Sequence, residues 1–522
     1  MLYIMLLGLV LRLTNIIKPE GLWNDEYVSW HVASTPFFNG FWQEILKQCH
    51  MPLYYLYLKP FAGSSDTILR LTSVIPALLA IPIMYLVGKE VSKRAGYYAA
   101  TITSILSFLV YYAQEVRFYS ILFLFSVLSL LYLIRYIKYN DKKNLTLFIV
   151  SSVLILLTHV IGIIYVALTF FYIAYKRKRK SVYIYSIAAA VVLSLIISTN
   201  VLRMIPVSQW WGHFSYTNIL FLFSDFFSPI LTNNVNAPTV FFYNKSIALW
   251  QTIPTLIALF AMIKGTKKGL SFIVLGVILI MSSLAISGKL VFITKYSIEI
   301  YPILIYLACA GATSIENKVL RNILIGLYCA ISLGYILIHP YSAPKMHRAE
   351  GNKIATDMIE RMDLKKGDII LLQYYPQSRF EKYFDFSDYK VIQIHKGNFQ
   401  QFLSANVDYA EAYQNGKGIY RDIFAGQKNE YFDNLIKKHV LDTMKPNQSI
   451  VMVFLDSVAF YSPDDLALIA RDKSLYDSKP LLFLVFSYIK NMTFIDLMNA
   501  LPVARVDRKG NWTVVKFTKL NK

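Results

Sequence analysis

Runs of about 17–25 apolar residues, each long enough to cross a bilayer core as a helix, recur along the first two-thirds of this chain. They span approximately 1–17, 66–88, 96–112, 118–137, 144–159, 160–175, 181–200, 246–263, 269–287, 296–313 and 322–339, eleven in all. At that depth no water satisfies backbone N–H and C=O groups, so such a chain is driven toward a bundle of helices. Composition agrees. Of 522 residues, 56% are hydrophobic and 16% charged, where a soluble domain carries about 25% charged residues. The boundary at Thr158-His159 is the least marked, because no polar linker separates the runs on either side.

Basic residues orient the bundle. With the N-terminus in the cytoplasm, every second connector is cytoplasmic, and these connectors hold most of the charge. They contain Lys89, Lys93 and Arg94, then Arg135, Lys138, Lys142 and Lys143, then the run Lys176-Arg177-Lys178-Arg179-Lys180. Lys264, Lys267 and Lys268 follow, and finally Lys318 and Arg321. One missed helix would scramble this alternation, which matches the positive-inside rule. The loops 18–65 and 201–245 and the tail beyond 340 are therefore expected outside. The same placement accounts for much of the net charge of +21 without invoking nucleic acid. The first run starts at Met1 and shows no cleavage signature, so it is expected as a retained helix rather than a signal peptide. Of three cysteines, Cys309 and Cys329 lie in apolar runs and Cys49 does not, which implies no disulfide framework.

Within the loop 18–65, residues 27–47 mix Tyr27, Val28, Trp30, Phe37, Phe38, Phe41, Trp42 and Ile45 with polar residues, broken at Pro36 and Gly40. Two short amphipathic helices lying in the membrane interface suit that pattern. The 201–245 loop carries Trp210-Trp211 and a Phe-rich stretch from Phe221 to Phe227. From about Tyr341 the chain becomes charged, and short apolar runs (Ile369–Leu372, Val451–Leu455, Leu481–Phe486, Trp512–Phe517) alternate with helix-like stretches at 349–363 and 463–471. This predicts two domains, a membrane domain over 1–340 and a soluble α/β domain over 341–522.

Chemistry concentrates in the outer connectors. Asp25 could serve as a general base toward an acceptor hydroxyl or amine, with Glu26 orienting it or binding the acceptor. The plainer alternative makes Asn24 or Asp25 the cap of the helix that follows. In the connector Gln114-Glu115-Val116-Arg117, the charge rule gives no reason for an arginine on the outer side. Arg117 would lie within reach of a lipid phosphate, which a guanidinium grips as a fork, unless it only pairs with Glu115 or snorkels. Lys295-Tyr296 offers a second outer cation beside an apolar surface. His50 and His159 lie at outer positions where a histidine is most often a hydrogen-bonded structural residue. A divalent metal held by His31, His50, Asp25 and Glu26 was weighed, but the spacing matches no recognised ligand pattern. A divalent metal stays possible, and no other cofactor is implied.

Several of these residues recur in one order. Trp23-x-Asp25-Glu26, His50-x-Pro52-Leu53-Tyr54-Tyr55, Leu69-Arg70-Leu71-x-Ser73, Gln114-Glu115-x-Arg117-x-Tyr119 and Thr158-His159-x-x-Gly162 follow one another over residues 1–340. As an ordered set they resemble the type C membrane glycosyltransferases, in the branch of protein mannosyltransferases and lipid A aminoarabinose transferases. The resemblance implies an inner-membrane, multi-pass enzyme that takes a monosaccharide from a polyprenyl-phosphate donor. The acceptor would be a lipid, a glycan or a protein, attacked outside the membrane with inversion. It further implies Asp25 as base or acceptor-binding carboxylate, with Glu26 and Glu115 as further acidic groups. Arg117, Lys295 and Tyr296 would contact the donor phosphate, and His50, Tyr54, Tyr55 and His159 would line donor or acceptor. Lys295-Tyr296 stands where the family commonly has Arg-Tyr, a departure that keeps the charge. The competing reading, a transporter or flippase of a lipid-linked saccharide, calls for paired repeats and polar residues at mid-membrane depth. Here the acidic residues cluster in the connectors instead.

Overall fold

The computed structural model describes residues 1–47, 51–177, 217–227, 245–265, 269–287, 294–338, 351–373, 379–394, 441–442, 444–455, 497, 500–509 and 512–519. It divides into two compact units, Met1–Lys18 with Asp25–Lys345, and Pro19–Asn24 with Met346–Lys522.

The first unit is helical. Leu2–Leu13, Asp66–Lys89, Lys93–Ile105, Tyr119–Tyr139, Lys142–Thr158, Gly162–Arg177, Lys245–Gly265, Leu270–Ile286, Tyr301–Ser314 and Lys318–Ile338 fall on the predicted runs. The run at 181–200, Trp210-Trp211 and His50 lie outside the described residues. Among the described residues, Asp66–Lys89, Tyr119–Tyr139 and Thr294–Ser314 are long and apolar enough to cross a membrane. Leu2–Leu13, Thr252–Gly265 and Leu270–Ile286 are shorter apolar helices.

Local chemistry sets the boundaries. Ser92 and Asp141 cap the helices that follow them, accepting from Ala95 N at 3.1 Å and Asn144 N at 2.8 Å. The unmarked boundary at Thr158 is made by the backbone. His159 turns extended (φ −149°, ψ 128°) and the chain re-enters a helix at Gly162. Helices Lys245–Gly265 and Tyr301–Ser314 cross backbone to backbone. A Cβ on Gly311 would lie 1.7 Å from the Ala261 carbonyl oxygen, and one on Gly265 2.0 Å from that of Leu307. Small residues allow such close approach between membrane helices.

A second break shapes the surroundings of the site. Helix Lys93–Ile105 stops where Leu106 swings to ψ 120°, and Ser107–Tyr112 restarts as a separate helix. The last carbonyls of a helix lack intrahelical partners. Here Arg12, fully buried in the first helix, supplies them. Its Nη2 donates to Thr103 O and its Nη1 to Ser104 O, both at 3.0 Å. Beyond the restarted helix, Gln114 Nε2 donates to Leu11 O at 3.0 Å. The first helix thereby ties down both ends of the segment leading into Gln114–Arg117.

Connectors assigned to one side by charge also meet. Glu90 accepts from Arg135 Nε at 2.8 Å and Lys138 Nζ at 3.3 Å, and Arg177 donates to Tyr136 O at 2.9 Å. After the first helix, the stretch 27–47 holds two α-helices, Asn24–Ser34 and Trp42–Lys47, the number expected there, and Pro52–Leu58 follows as a third.

The second unit is a five-stranded sheet of β1 (Ile369–Gln373), β2 (Lys390–Ile394), β3 (Ser449–Leu455), β4 (Val503–Lys509) and β5 (Trp512–Thr518), in the order β2-β1-β3-β5-β4. β1 pairs in parallel with β2 and β3, while β5 runs antiparallel to β3 and β4. Strands β3 and β5 are buried on both faces. Val451, Val453, Trp512 and Val514 pack with Ile354, Ala355 and Met358 of helix Asn352–Glu360 on one side. Ile450, Met452, Val515 and Phe517 pack with Leu497 and Leu501 on the other. Covering both faces explains why the strands read as continuous apolar runs rather than alternations. β2 and β4 escaped sequence reading because edge strands carry charge, as in Val503-Ala504-Arg505-Val506-Asp507. The stretches 463–471 and 481–486 lie outside the described residues.

Pro19–Asn24 folds with this unit rather than with its chain neighbours. Leu22 N donates to the Tyr383 hydroxyl at 2.8 Å, Asn352 N to Leu22 O at 3.2 Å and Lys353 N to Glu20 O at 3.1 Å. Gly21, at φ +80°, has no room for a side chain, since a Cβ would lie 2.7 Å from Lys353 Cβ.

Candidate active site

Helix Asn24–Ser34 begins one residue before Asp25, so Asp25 and Glu26 both lie in its first turn, where the helix dipole favours negative charge. Successive helical residues point about 100° apart. The two carboxylates therefore face different surroundings.

Asp25 meets two cations far away in sequence. Its Oδ2 is 3.8 Å from Arg117 Nη2 and 3.5 Å from Lys295 Nζ. Asp25 is the most accessible of the three, its side chain 26% exposed against 6% for Arg117 and 14% for Lys295. Arg117 is further held by bonds from Nη1 to Asp25 O at 3.2 Å and to Ser29 Oγ at 3.4 Å, with Phe118 beneath it at 5.1 Å. Burial alone would weaken the charged form of Arg117, but Asp25 with the Tyr119 and Tyr55 hydroxyls holds it more firmly protonated than a free arginine. Lys295 lies over the rings of Tyr119 and Tyr296, at 5.9 and 5.7 Å.

Glu26 is occupied elsewhere. Fully buried, it accepts from Arg70 Nε at 2.8 Å and Nη2 at 2.7 Å and from Val116 N at 3.1 Å. Burial pushes its carboxyl up, yet Arg70, with Lys18 and the Val116 N–H, brings it below the ordinary carboxylate value. One side chain thus joins three segments and holds the turn that presents Arg117. Glu115 is also interior, 1% exposed, and accepts from the Tyr111 hydroxyl. Glu26 and Glu115 are thus both enclosed by protein side chains, whereas Asp25 is partly open.

Tyr54 and Tyr55 are each 1% exposed, and burial raises both hydroxyls above the ordinary tyrosine value, keeping them protonated. They form the wall beside Arg117 and Asp25. His159 is buried with its ring stacked on Phe118 at 4.8 Å. His31, weighed as a metal ligand, instead lies 3.9 Å from Glu44 and stacks on Tyr27. Among the described residues no group of three or more His, Cys, Asp or Glu side chains converges to hold an ion.

Sequence reading singled out Asp25, Arg117 and Lys295, and the fold brings the Asp25 carboxylate within 3.8 Å of Arg117 and 3.5 Å of Lys295. It missed Glu299, buried at 3% exposure beside His159. The available signal was an acidic residue inside the run at 296–313, since charge within an apolar span is functional by default.

Residues 55–202 match the family model described as dolichyl-phosphate-mannose-protein mannosyltransferase. That match spans 148 of the 522 residues. ArnT from Cupriavidus metallidurans in the apo state shares the fold at a TM-score of 0.54 and 12% identity, over 99% of this chain and 97% of that one. The same protein bound to undecaprenyl phosphate gives 0.50 and 11% over the same shares. The Archaeoglobus fulgidus oligosaccharyltransferase, solved with zinc and sulfate, aligns at 0.44 and 12%, over 92% of this chain and 70% of that one. Among curated protein sequences none matches the chain.

Proposed function

We propose that this chain is a glycosyltransferase of the type C superfamily, moving a monosaccharide from a polyprenyl-phosphate donor to an acceptor hydroxyl or amine on the extracytoplasmic side of the plasma membrane. Lipid, glycan and protein acceptors all meet the chemistry. The reading rests on one observation, Asp25 Oδ2 shared between Arg117 and Lys295. A carboxylate bridging two cations marks a place where a phosphate fits. A relative of the same fold solved with undecaprenyl phosphate supports that class of carrier.

In the reaction we assign, Asp25 takes the proton from the acceptor as its oxygen or nitrogen attacks the anomeric carbon. The bond from that carbon to the phosphate oxygen breaks, and the carrier leaves as polyprenyl phosphate. The charge left on the phosphate is stabilised by Arg117 and Lys295, which act strongly in a site shielded from water. A phosphate leaves without a general acid, so one base and two cations suffice. A single displacement inverts the centre; retention by the usual route needs a carboxylate nucleophile and a second displacement.

The test is transfer in proteoliposomes loaded with candidate polyprenyl-phosphate sugars. Asp25→Asn is expected to lower transfer by about 10²–10⁴-fold while the protein still binds undecaprenyl phosphate. Undiminished transfer by that variant would overturn the assignment.

A further inference from the structure

Glu299 lies in the short turn Thr294–Ile300, four residues after Lys295, and its carboxylate faces His159. Glu299 Oε1 accepts from His159 Nδ1 at 3.3 Å, and the two side chains are only 3% and 7% exposed. His159 belongs to no helix and stands in the break between Lys142–Thr158 and Gly162–Arg177. Its imidazole stacks on Phe118 with centroids 4.8 Å apart and planes 27° from parallel. On another side it meets the Tyr296 ring at 5.8 Å. Phe118 is the residue after Arg117, and Tyr296 the residue after Lys295. The imidazole therefore lies between the two segments that carry the cations.

We infer that Glu299 is a positioning residue for the phosphate site, acting through His159. Rotation about the outer side-chain bond of histidine is soft, so stacking alone leaves the ring free to turn. A hydrogen bond from one ring nitrogen to a carboxylate selects the tautomer and the plane of the ring. With that plane set, the Phe118 and Tyr296 rings keep their separation, and so do the guanidinium and ammonium that a single phosphate must bridge. Space for the pair comes from Gly162. A Cβ there would lie 3.4 Å from Glu299 Oε1 and 2.5 Å from Ile155 Cγ2. The inference rests on the assignment of Arg117 and Lys295 to the donor phosphate.

The experiment measures binding of undecaprenyl phosphate to the full-length protein in nanodiscs, with thermal unfolding recorded for each variant. Glu299→Gln, which can still accept the bond, is expected to bind within about twofold of wild type. Glu299→Met, of similar shape but without an acceptor, is expected to bind about tenfold more weakly, as displacement of binding groups by a fraction of an ångström does. His159→Phe keeps a ring in the stack and loses the nitrogen, so it should show the same loss. The double variant Glu299→Met with His159→Phe leaves no buried polar group unpaired, which favours folding even where a single variant does not fold. It is expected to lose no more than either single change. Wild-type affinity in Glu299→Met, in His159→Phe or in the double variant would overturn the inference and reduce the pair to packing. Arg117→Gln and Lys295→Met serve as separate controls. If neither weakens binding, the phosphate-site assignment itself falls.

Discussion

Asp25 and Glu26 are adjacent in the chain, yet one is shared between two cations at a partly open site and the other is sealed in the interior. Their substitutions should differ accordingly. Asp25→Asn removes a base and should lower transfer by about 10²–10⁴-fold. It should also bind undecaprenyl phosphate at least as tightly as wild type, because the carboxylate that shares Arg117 and Lys295 has gone; titration of the lipid against both proteins checks this. Glu26→Ala removes the carboxylate that accepts from two nitrogens of the buried Arg70 and should destabilise the fold by about 3–5 kcal/mol, read from thermal unfolding. The pH dependence follows from the same pair. The carboxyl of Glu26 is depressed in the folded protein, so its contribution to stability is complete above the unfolded carboxylate value. It is lost as pH falls through the lower folded value. Unfolding temperature should therefore hold from neutral pH down to the ordinary carboxylate range and drop only below it, with Glu26→Gln flattening that drop. Asp25, Arg117 and Lys295 were legible as isolated charges among apolar residues. The pairing of Glu26 with Arg70, 44 residues away, was not, because nothing local records which distant partner a buried carboxylate finds.

At the scale of elements, the breaks carry the architecture. Leu106 interrupts the apolar run 96–112 without glycine, proline or a polar linker at the break itself, so hydropathy shows a continuous span where the backbone turns, while the break at His159 is marked by little more than the histidine itself. The compensation is visible only in three dimensions, as Arg12 satisfying the carbonyls of Thr103 and Ser104. Bonds from a charged donor contribute about 1.5–3 kcal/mol. Arg12→Met should destabilise by at least one such bond and loosen the turn at Gln114–Arg117. Hydrogen–deuterium exchange should show faster exchange over 103–118 than in wild type, with distant helices unchanged. The sheet was partly legible for the opposite reason. Strands buried on both faces announce themselves as apolar runs, whereas β2 and β4 hide behind their charges, and Pro19–Asn24 carries no sign that it folds with a domain more than 320 residues downstream.

For the whole molecule, the alternation of basic connectors sets an orientation that can be tested without the donor. In a protein freed of its three cysteines, Ser387→Cys in the tail should react in intact cells with a membrane-impermeant maleimide, and Lys142→Cys should react only after lysis. The reverse pattern would invert the bundle and move the site to the cytoplasmic face. The central claim, that Arg117 and Lys295 hold the donor phosphate now represented by the Asp25 carboxylate, is met most directly by an experimental structure with undecaprenyl phosphate bound. The account predicts the phosphate between the guanidinium and the ammonium, in contact with both and beside Asp25. A phosphate seated elsewhere in the bundle, touching neither cation, would contradict it.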